Sequence, residues 1–163
     1  MRFARAVMVV AVALALAGCG SKFKTYNGPE VTQIYVQKSA RRMYLLHGTS
    51  VLKAYDVDLG TAPAGHKQFE GDGKTPEGGY FIDRRNPNSR YHLSLGISYP
   101  NQADRDFAQA ADKPPGGDIF IHGTNKASGG RDDWTVGCIA VKDREIEDIY
   151  AMVHDGTPIF IAP

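Results

Sequence analysis

Asp118-Ile119-Phe120-Ile121-His122-Gly123 reads as an apolar strand that ends on a histidine and a glycine. Sixteen positions beyond that histidine stands a cysteine, in the run Trp134-Thr135-Val136-Gly137-Cys138-Ile139-Ala140-Val141. Gly137 before Cys138, and Thr135 two residues earlier, make this stretch a turn rather than a packed strand. A cysteine thiol near its ordinary pKa is only about 3% thiolate at pH 7, so a nucleophilic one needs a base or a positive field nearby. A histidine at the end of a strand is held by its sheet and can be aimed at one partner, so His122 is the candidate base for Cys138. Gly123 beside it permits close approach of substrate or backbone.

The remaining histidines, His47, His66, His92 and His154, read as surface or structural residues. One cysteine and one histidine fall short of the three or four protein ligands of a zinc site, so neither a metal nor another cofactor is expected.

The reactivity argument depends on the other cysteine. Arg2 and Arg5, an uninterrupted apolar stretch from Ala6 to Ala17, and a small-residue exit describe a secretory signal peptide over residues 1–18, too short in its apolar core to span a bilayer. The exit Leu16-Ala17-Gly18-Cys19 resembles the bacterial lipobox, which implies that Cys19 becomes the lipid-bearing first residue and anchors the chain to a membrane. The plainer alternative is an ordinary signal peptide cut near Ala17 or Gly18. Either way the chain is exported, and Gly20 after the lipidated cysteine points to the periplasmic side of the outer membrane. An exported protein in an oxidising compartment usually pairs its cysteines. Cys138 has no partner, which favours a reactive thiol over a small buried hydrophobe.

About 145 residues remain after residue 18, enough for one domain with one core. Lys and Arg nearly balance Asp and Glu, for a formal net charge of +1, and no basic block follows the signal peptide. Nucleic acid is therefore excluded as a partner. Residues 19–30 read as a lipid-anchored tether whose stretch from Ser21 to Glu30 reaches at most ~35 Å, and residues 31–163 as the domain.

Eighteen glycines and nine prolines imply many turns and a strand-rich fold. Strands are expected over Val31–Val36, Arg42–Leu46, Ser50–Leu59, Tyr80–Ile82, Tyr91–Leu95 and Thr157–Ala162, with turns at Lys38-Ser39, His47-Gly48-Thr49 and Asn86-Pro87-Asn88. Asn101–Ala111 suits a helix stopped by Pro114-Pro115. Ile146, Ile149, Tyr150 and Val153 recur at helical spacing, with Asp143 as the cap and Gly156 as the stop. The sum is mainly β, with two helices at the edges.

His122-Gly123-Thr124-Asn125, a glycine-bearing loop, and Thr135-x-Gly137-Cys138-Ile139 together resemble the signature of the L,D-transpeptidases of the YkuD (ErfK/YbiS) family. The resemblance extends to the loop Gly73-Lys74-Thr75-Pro76-Glu77-Gly78 and covers about residues 31–162. It implies an antiparallel β-sandwich or barrel-like catalytic domain with the cysteine at the edge of a groove. It also implies a chemistry: Cys138 attacks a stem-peptide carbonyl of peptidoglycan, His122 takes the thiol proton, D-alanine leaves, and an amine from another stem or from a lipoprotein resolves the thioester. Backbone N–H groups around Gly137 and Cys138 are then the candidate oxyanion donors, and Trp134 and Thr135 the candidate pocket wall.

Two positions depart from the family pattern. Val136 stands where many members have a second histidine, and Ala140 where an arginine is usual. Arginine suits the carboxylates of a stem peptide, so Arg131, with Lys126 behind it, is read either as the replacement guanidinium or as a solvated loop charge. Arg84, Arg85 and Arg90 read as a solvated basic face. Hydrolysis on the same fold, or wall binding by a non-catalytic lipoprotein with a redox-sensitive thiol, are the alternatives to transpeptidation.

Overall fold

The computed structural model describes residues 21–124 and 132–163. Alternation along the first strands sets the sheet. In β1 (Gln33–Gln37) Ile34 and Val36 point inward, and in β2 (Arg42–His47) Met43 and Leu45 do the same. These side chains face one core only because Gln33↔Leu46 through Gln37↔Arg42 pair in a single register. β3 (Ser50–Asp56) follows across a tight turn at Gly48, whose φ of 56° favours a glycine.

β4 (Gly78–Asn86), β5 (Ser94–Ile97), β6 (Phe120–His122), β7 (Ile139–Ala140) and β8 (Pro158–Ala162) complete a sheet of order β3-β2-β1-β8-β4-β5-β6-β7. The pairs β1–β8 and β6–β7 run parallel and the others antiparallel.

The strand expected over Ser50–Leu59 leaves the ladder at Asp56, and the chain then crosses from one edge of the sheet to the other. Asp58 and Ala140 exchange both backbone hydrogen bonds at 3.0 and 2.8 Å, Thr135 N–H reaches Leu59 O at 3.1 Å, and Thr61 N–H reaches Thr135 O at 3.0 Å. This crossing curls the sheet toward a barrel. It explains why Val57 and Leu59 are buried although they lie outside β3.

Two helices pack at the edges. α1 (Gln102–Ala110) starts in a capping box, with Asn101 Oδ1 taking Asp104 N–H and the Asp104 carboxylate taking Asn101 N–H. α2 (Asp143–Met152) buries Ile146, Ile149 and Met152. Asp143, expected to cap α2, is its first residue instead. The cap is Lys142, whose N–H is held by Glu145 at 2.9 Å, while the Asp143 carboxylate takes Thr124 N–H at 2.8 Å. The acid that would close the helix is spent on the exit of β6.

Two further expectations shift. Tyr91–Leu95 is a strand only from Ser94, because His92 takes a φ of 72° and turns Tyr91 out of the sheet. Residues 21–26, expected as part of a free tether, lie against the domain: Lys24 pairs with Glu147 and Asp148 at 3.2 and 2.8 Å, and the Phe23 ring sits 6.3 Å from Tyr150.

Lys38, in the turn that follows β1, is buried. Its ammonium donates to Gly65 O, Thr75 O and Glu77 Oε1 at 2.6, 2.8 and 2.8 Å, and burial lowers its pKa. This clamp fixes the loop leading into β4, and Gly137 packs against that loop's Lys74 carbonyl.

Candidate active site

β6 and β7 lie side by side, with Ile121 opposite Ile139 and both turned into the core. Extending that register by one residue puts Cys138 beside Phe120. Since strand side chains alternate, His122 then projects on the same side as Cys138, a diagonal neighbour at roughly 7 Å between Cβ atoms. Both line one cavity of about 450 Å³, together with Tyr91, Trp134, Thr135 and Val136 on one side and Asn86, Asn88, Ser89 and Arg90 on another.

The imidazole is held in one tautomer. His122 Nδ1 lies 2.7 Å from Gly123 O, and a carbonyl only accepts, so Nδ1 carries the proton and the Nε2 lone pair is free. Tyr91 stacks on the ring at 4.3 Å and Trp134 meets it edge-on at 5.6 Å. Burial lowers the His122 pKa, partly offset by the Gly123 carbonyl.

Cys138 is an unpaired, half-buried thiol. Its Sγ–H points to Asp118 O at 3.5 Å, and burial raises its pKa against the opposing effect of the Phe120 N–H. Both shifts favour the neutral thiol and the neutral imidazole over the thiolate and the imidazolium.

Thr135 and Gly137 shape the turn that presents the thiol. Thr135 Oγ1 donates to Cys138 O at 2.8 Å and accepts Gly137 N–H at 3.1 Å. The Gly137 amide is thus spent inside the turn, which removes one of the two expected oxyanion donors. Among the described residues the Cys138 N–H has no acceptor. Gly137 sits at a φ of 134° with its missing Cβ only 2.7 Å from Lys74 O, so no other residue fits.

Gly123, expected to contact substrate, is buried outside the cavity wall. A Cβ there would lie 2.6 Å from Asp143 Oδ1 and 2.7 Å from Tyr91 O. Its absence of a side chain serves packing, and its carbonyl orients His122. Trp134 lines the cavity as expected and is anchored by Nε1–H to Asp58 Oδ2 at 3.2 Å. Arg131 and Lys126 lie outside the described residues, as do Asn125 and Cys19.

Three of the four other histidines have side-chain partners away from the cavity. His66 binds Asp104 and the Glu77 N–H, His92 binds Glu147, and His47 binds Glu30 O. Among the described residues no group of three or more His, Cys, Asp or Glu is arranged to hold a metal ion.

Three contributors escape sequence reasoning. Asp133 grips the Arg41 guanidinium through both carboxylate oxygens and takes the Leu59 N–H at 3.0 Å, which anchors the loop before Cys138. Tyr91 reads as a strand residue, and no local pattern announces the turn that frees its ring. Arg90, grouped with Arg84 and Arg85 as a solvated face, lines the cavity.

Residues 32–161 match the family described as YkuD, L,D-transpeptidase catalytic domain. YafK of Escherichia coli K12, provisionally named an L,D-transpeptidase, is 30% identical over 146 residues, which covers 87% of this chain and 54% of that protein. A single-residue variant of the helical cell shape determining protein Pgp2 of Campylobacter jejuni superposes with a TM-score of 0.63 at 25% identity, over 91% of this chain and 52% of Pgp2. L,D-transpeptidase 1 of Mycobacterium tuberculosis shares the fold at a TM-score of 0.53 and 14% identity, over 82% of this chain and 62% of that chain. The chain thus spans about half the length of the first two relatives.

Proposed function

The chain belongs to the YkuD family of L,D-transpeptidase catalytic domains, and from that premise we propose that its cavity performs acyl transfer on peptidoglycan stem peptides. The observation that carries this reading is the unpaired Cys138 thiol sharing one cavity with a His122 ring whose Nδ1 is already engaged by Gly123 O.

In this mechanism Cys138 Sγ attacks the carbonyl between the L-centre of the diamino acid and the terminal D-residue. His122 Nε2 accepts the thiol proton. Because burial raises the thiol pKa and lowers that of the imidazole, the proton moves as the S–C bond forms rather than beforehand. The Cys138 N–H stabilises the developing oxyanion. The C–N bond then breaks, and His122 returns the proton to the leaving D-alanine amine. An acceptor amine, from another stem or from a lipoprotein, attacks the thioester with Nε2 as its base, forming an amide and restoring the thiol. Trp134 and Tyr91 wall the imidazole from water, and Thr135 keeps the thiol at its height.

We place the enzyme in the periplasm, exported by residues 1–18 and held at the outer membrane by lipid on Cys19. Support is the charged, apolar, small-residue order of the leader and the Leu16-Ala17-Gly18-Cys19 exit. Cys19→Ala should move the protein from the membrane to the soluble fraction, and an unchanged distribution would refute the anchor.

The activity is tested by incubating the full chain, or its C138A variant, with disaccharide-tetrapeptide and reading products by mass spectrometry. A Cys138-dependent dimer that has lost D-alanine is expected. Cys138-dependent trimming of the monomer would show water in the acceptor's place, and products independent of Cys138 would overturn the mechanism.

A further inference from the structure

We propose that Arg90 binds a free carboxylate of the stem peptide, taking the role for which sequence reasoning offered Arg131. The proposal rests on the acyl-transfer reading above and adds the residue that orients the donor.

Among the described residues, Arg90, Asp118 and His122 are the charged or basic groups that line the cavity beside Cys138 and Tyr91. The Asp118 carboxylate is held by Arg84 Nη2 at 3.1 Å, and burial of His122 disfavours its charged form. Among the described residues Arg90 has no carboxylate within 4.0 Å. Neither undescribed stretch contains an Asp or Glu that could supply one. The neighbouring arginines are occupied. Arg84 also lies over the Phe120 ring, and Arg85 donates to the Tyr150 and Val153 carbonyls while lying over the Tyr150 ring. A basic cluster that reads as one solvated face therefore divides, and Arg90, the member without a carboxylate partner among the described residues, lines the cavity that holds Cys138.

The loop carrying Arg90 is held rather than free. Lys22, which lies outside the 32–161 family match, donates to Pro87 O and His92 O at 2.6 and 3.1 Å, the carbonyls that bracket Asn88–Tyr91. Within the loop Asn88 N–H reaches Asn86 Oδ1 at 2.9 Å and Tyr91 N–H reaches Ser89 Oγ at 3.1 Å. Tyr91 then lies on the His122 ring, so the arm that presents Arg90 is tied directly to the proposed base. The backbone of this arm is ordered before binding, so the ordering left for a bidentate contact with a carboxylate is that of the exposed Arg90 side chain.

The test separates recognition from turnover. Binding of disaccharide-tetrapeptide, and of its analogues amidated at the C-terminus or at the side-chain carboxyl of the diamino acid, is measured by calorimetry with C138A and with C138A/R90Q. Turnover is measured in parallel with the unmodified enzyme and R90Q. C138A should bind the free acid roughly ten- to hundredfold more tightly than one of the amides. R90Q should erase that preference, and Arg90→Lys should restore part of it. Lys22→Ala should weaken free-acid binding severalfold while kcat stays within about twofold. Alkylation of Cys138 by iodoacetamide at an unchanged rate in R90Q confirms an intact cavity. A preference that survives R90Q, or no discrimination between acid and amides by C138A, overturns the proposal. Arg90-dependent binding without turnover keeps it and overturns the acyl-transfer reading instead.

Discussion

β1 and β2 share five registered pairs, from Gln33↔Leu46 to Gln37↔Arg42, whereas β6 and β7 share two, Ile121↔Ile139 and His122↔Ala140. The first pairing supports itself: its alternating residues bury Ile34, Val36, Met43 and Leu45, and a one-residue slip would turn the slipped strand's pair outward. The second is too short for that. It is held by bonds from outside the ladder: Asp58 on Ala140, Asp143 on Thr124, Thr135 across its own turn, and Asp133 with Arg41 on the crossing strand. The proposed chemistry falls where the sheet is thinnest, because a thiol and an imidazole must reach a ligand, and side-chain bonds supply the rigidity that pairing does not.

The comparison breaks most visibly at the nucleophile. Cys138→Ala should lower acyl transfer by about four orders of magnitude or more while melting stays within a degree or two, and retained turnover would remove Cys138 from the chemistry. His122→Gln should cost roughly 10²–10⁴-fold in kcat with a smaller change in KM. At the self-supporting end the currencies exchange. Ile34→Ala should destabilise the domain by about 2–5 kcal/mol in a urea titration and leave kcat per folded molecule within about twofold.

Thr135→Val sharpens the contrast, because it removes both bonds of one hydroxyl at the short end. It should cost about 1–3 kcal/mol and also slow Cys138 alkylation. Loss of stability with an unchanged alkylation rate would show that the turn does not position the thiol.

The smallest effects are in pH. His122 has a lowered pKa, so its free base persists below the ordinary value near 6.5, and kcat/KM should hold its plateau further into acid than an exposed histidine allows. The same burial means that the unfolded chain takes up a proton at His122 before the folded one does. Stability should therefore begin to fall as pH drops through about 6.5. The raised Cys138 pKa predicts that iodoacetamide alkylation still accelerates above the ordinary thiol range near pH 8.5. A plateau there would mean that a thiolate already exists at neutral pH.

Much of this was legible in the chain itself. The alternation in Gln33–Gln37 and Arg42–His47, the helical spacing of Ile146 and Ile149, and the pairing of His122 with Cys138 are all local or two-part signals. Failures fall where a residue's partner is distant. Asp143 reads as a cap because nothing nearby shows that Thr124 takes its carboxylate, and Ser50–Leu59 reads as one strand because its second half pairs with an edge more than seventy residues away. The arginines of Arg84-Arg85 and Arg90 look alike in sequence and differ only in what each meets.

Periodicity and residue chemistry by themselves determined a mainly β domain with two edge helices, and singled out a thiol and a histidine that line one cavity. They could do so because both depend on side-chain type and spacing along the chain. Only the tertiary structure decided which nitrogen of His122 is free, which amide of the Cys138 turn has no acceptor among the described residues, and which arginine lines the cavity. The first two rest on short-range bonds, His122 with Gly123 and Thr135 with Gly137, whose geometry the fold fixes, and the third on groups that the sequence keeps apart, such as Lys22 and Pro87, which the closing of the sheet brings within reach.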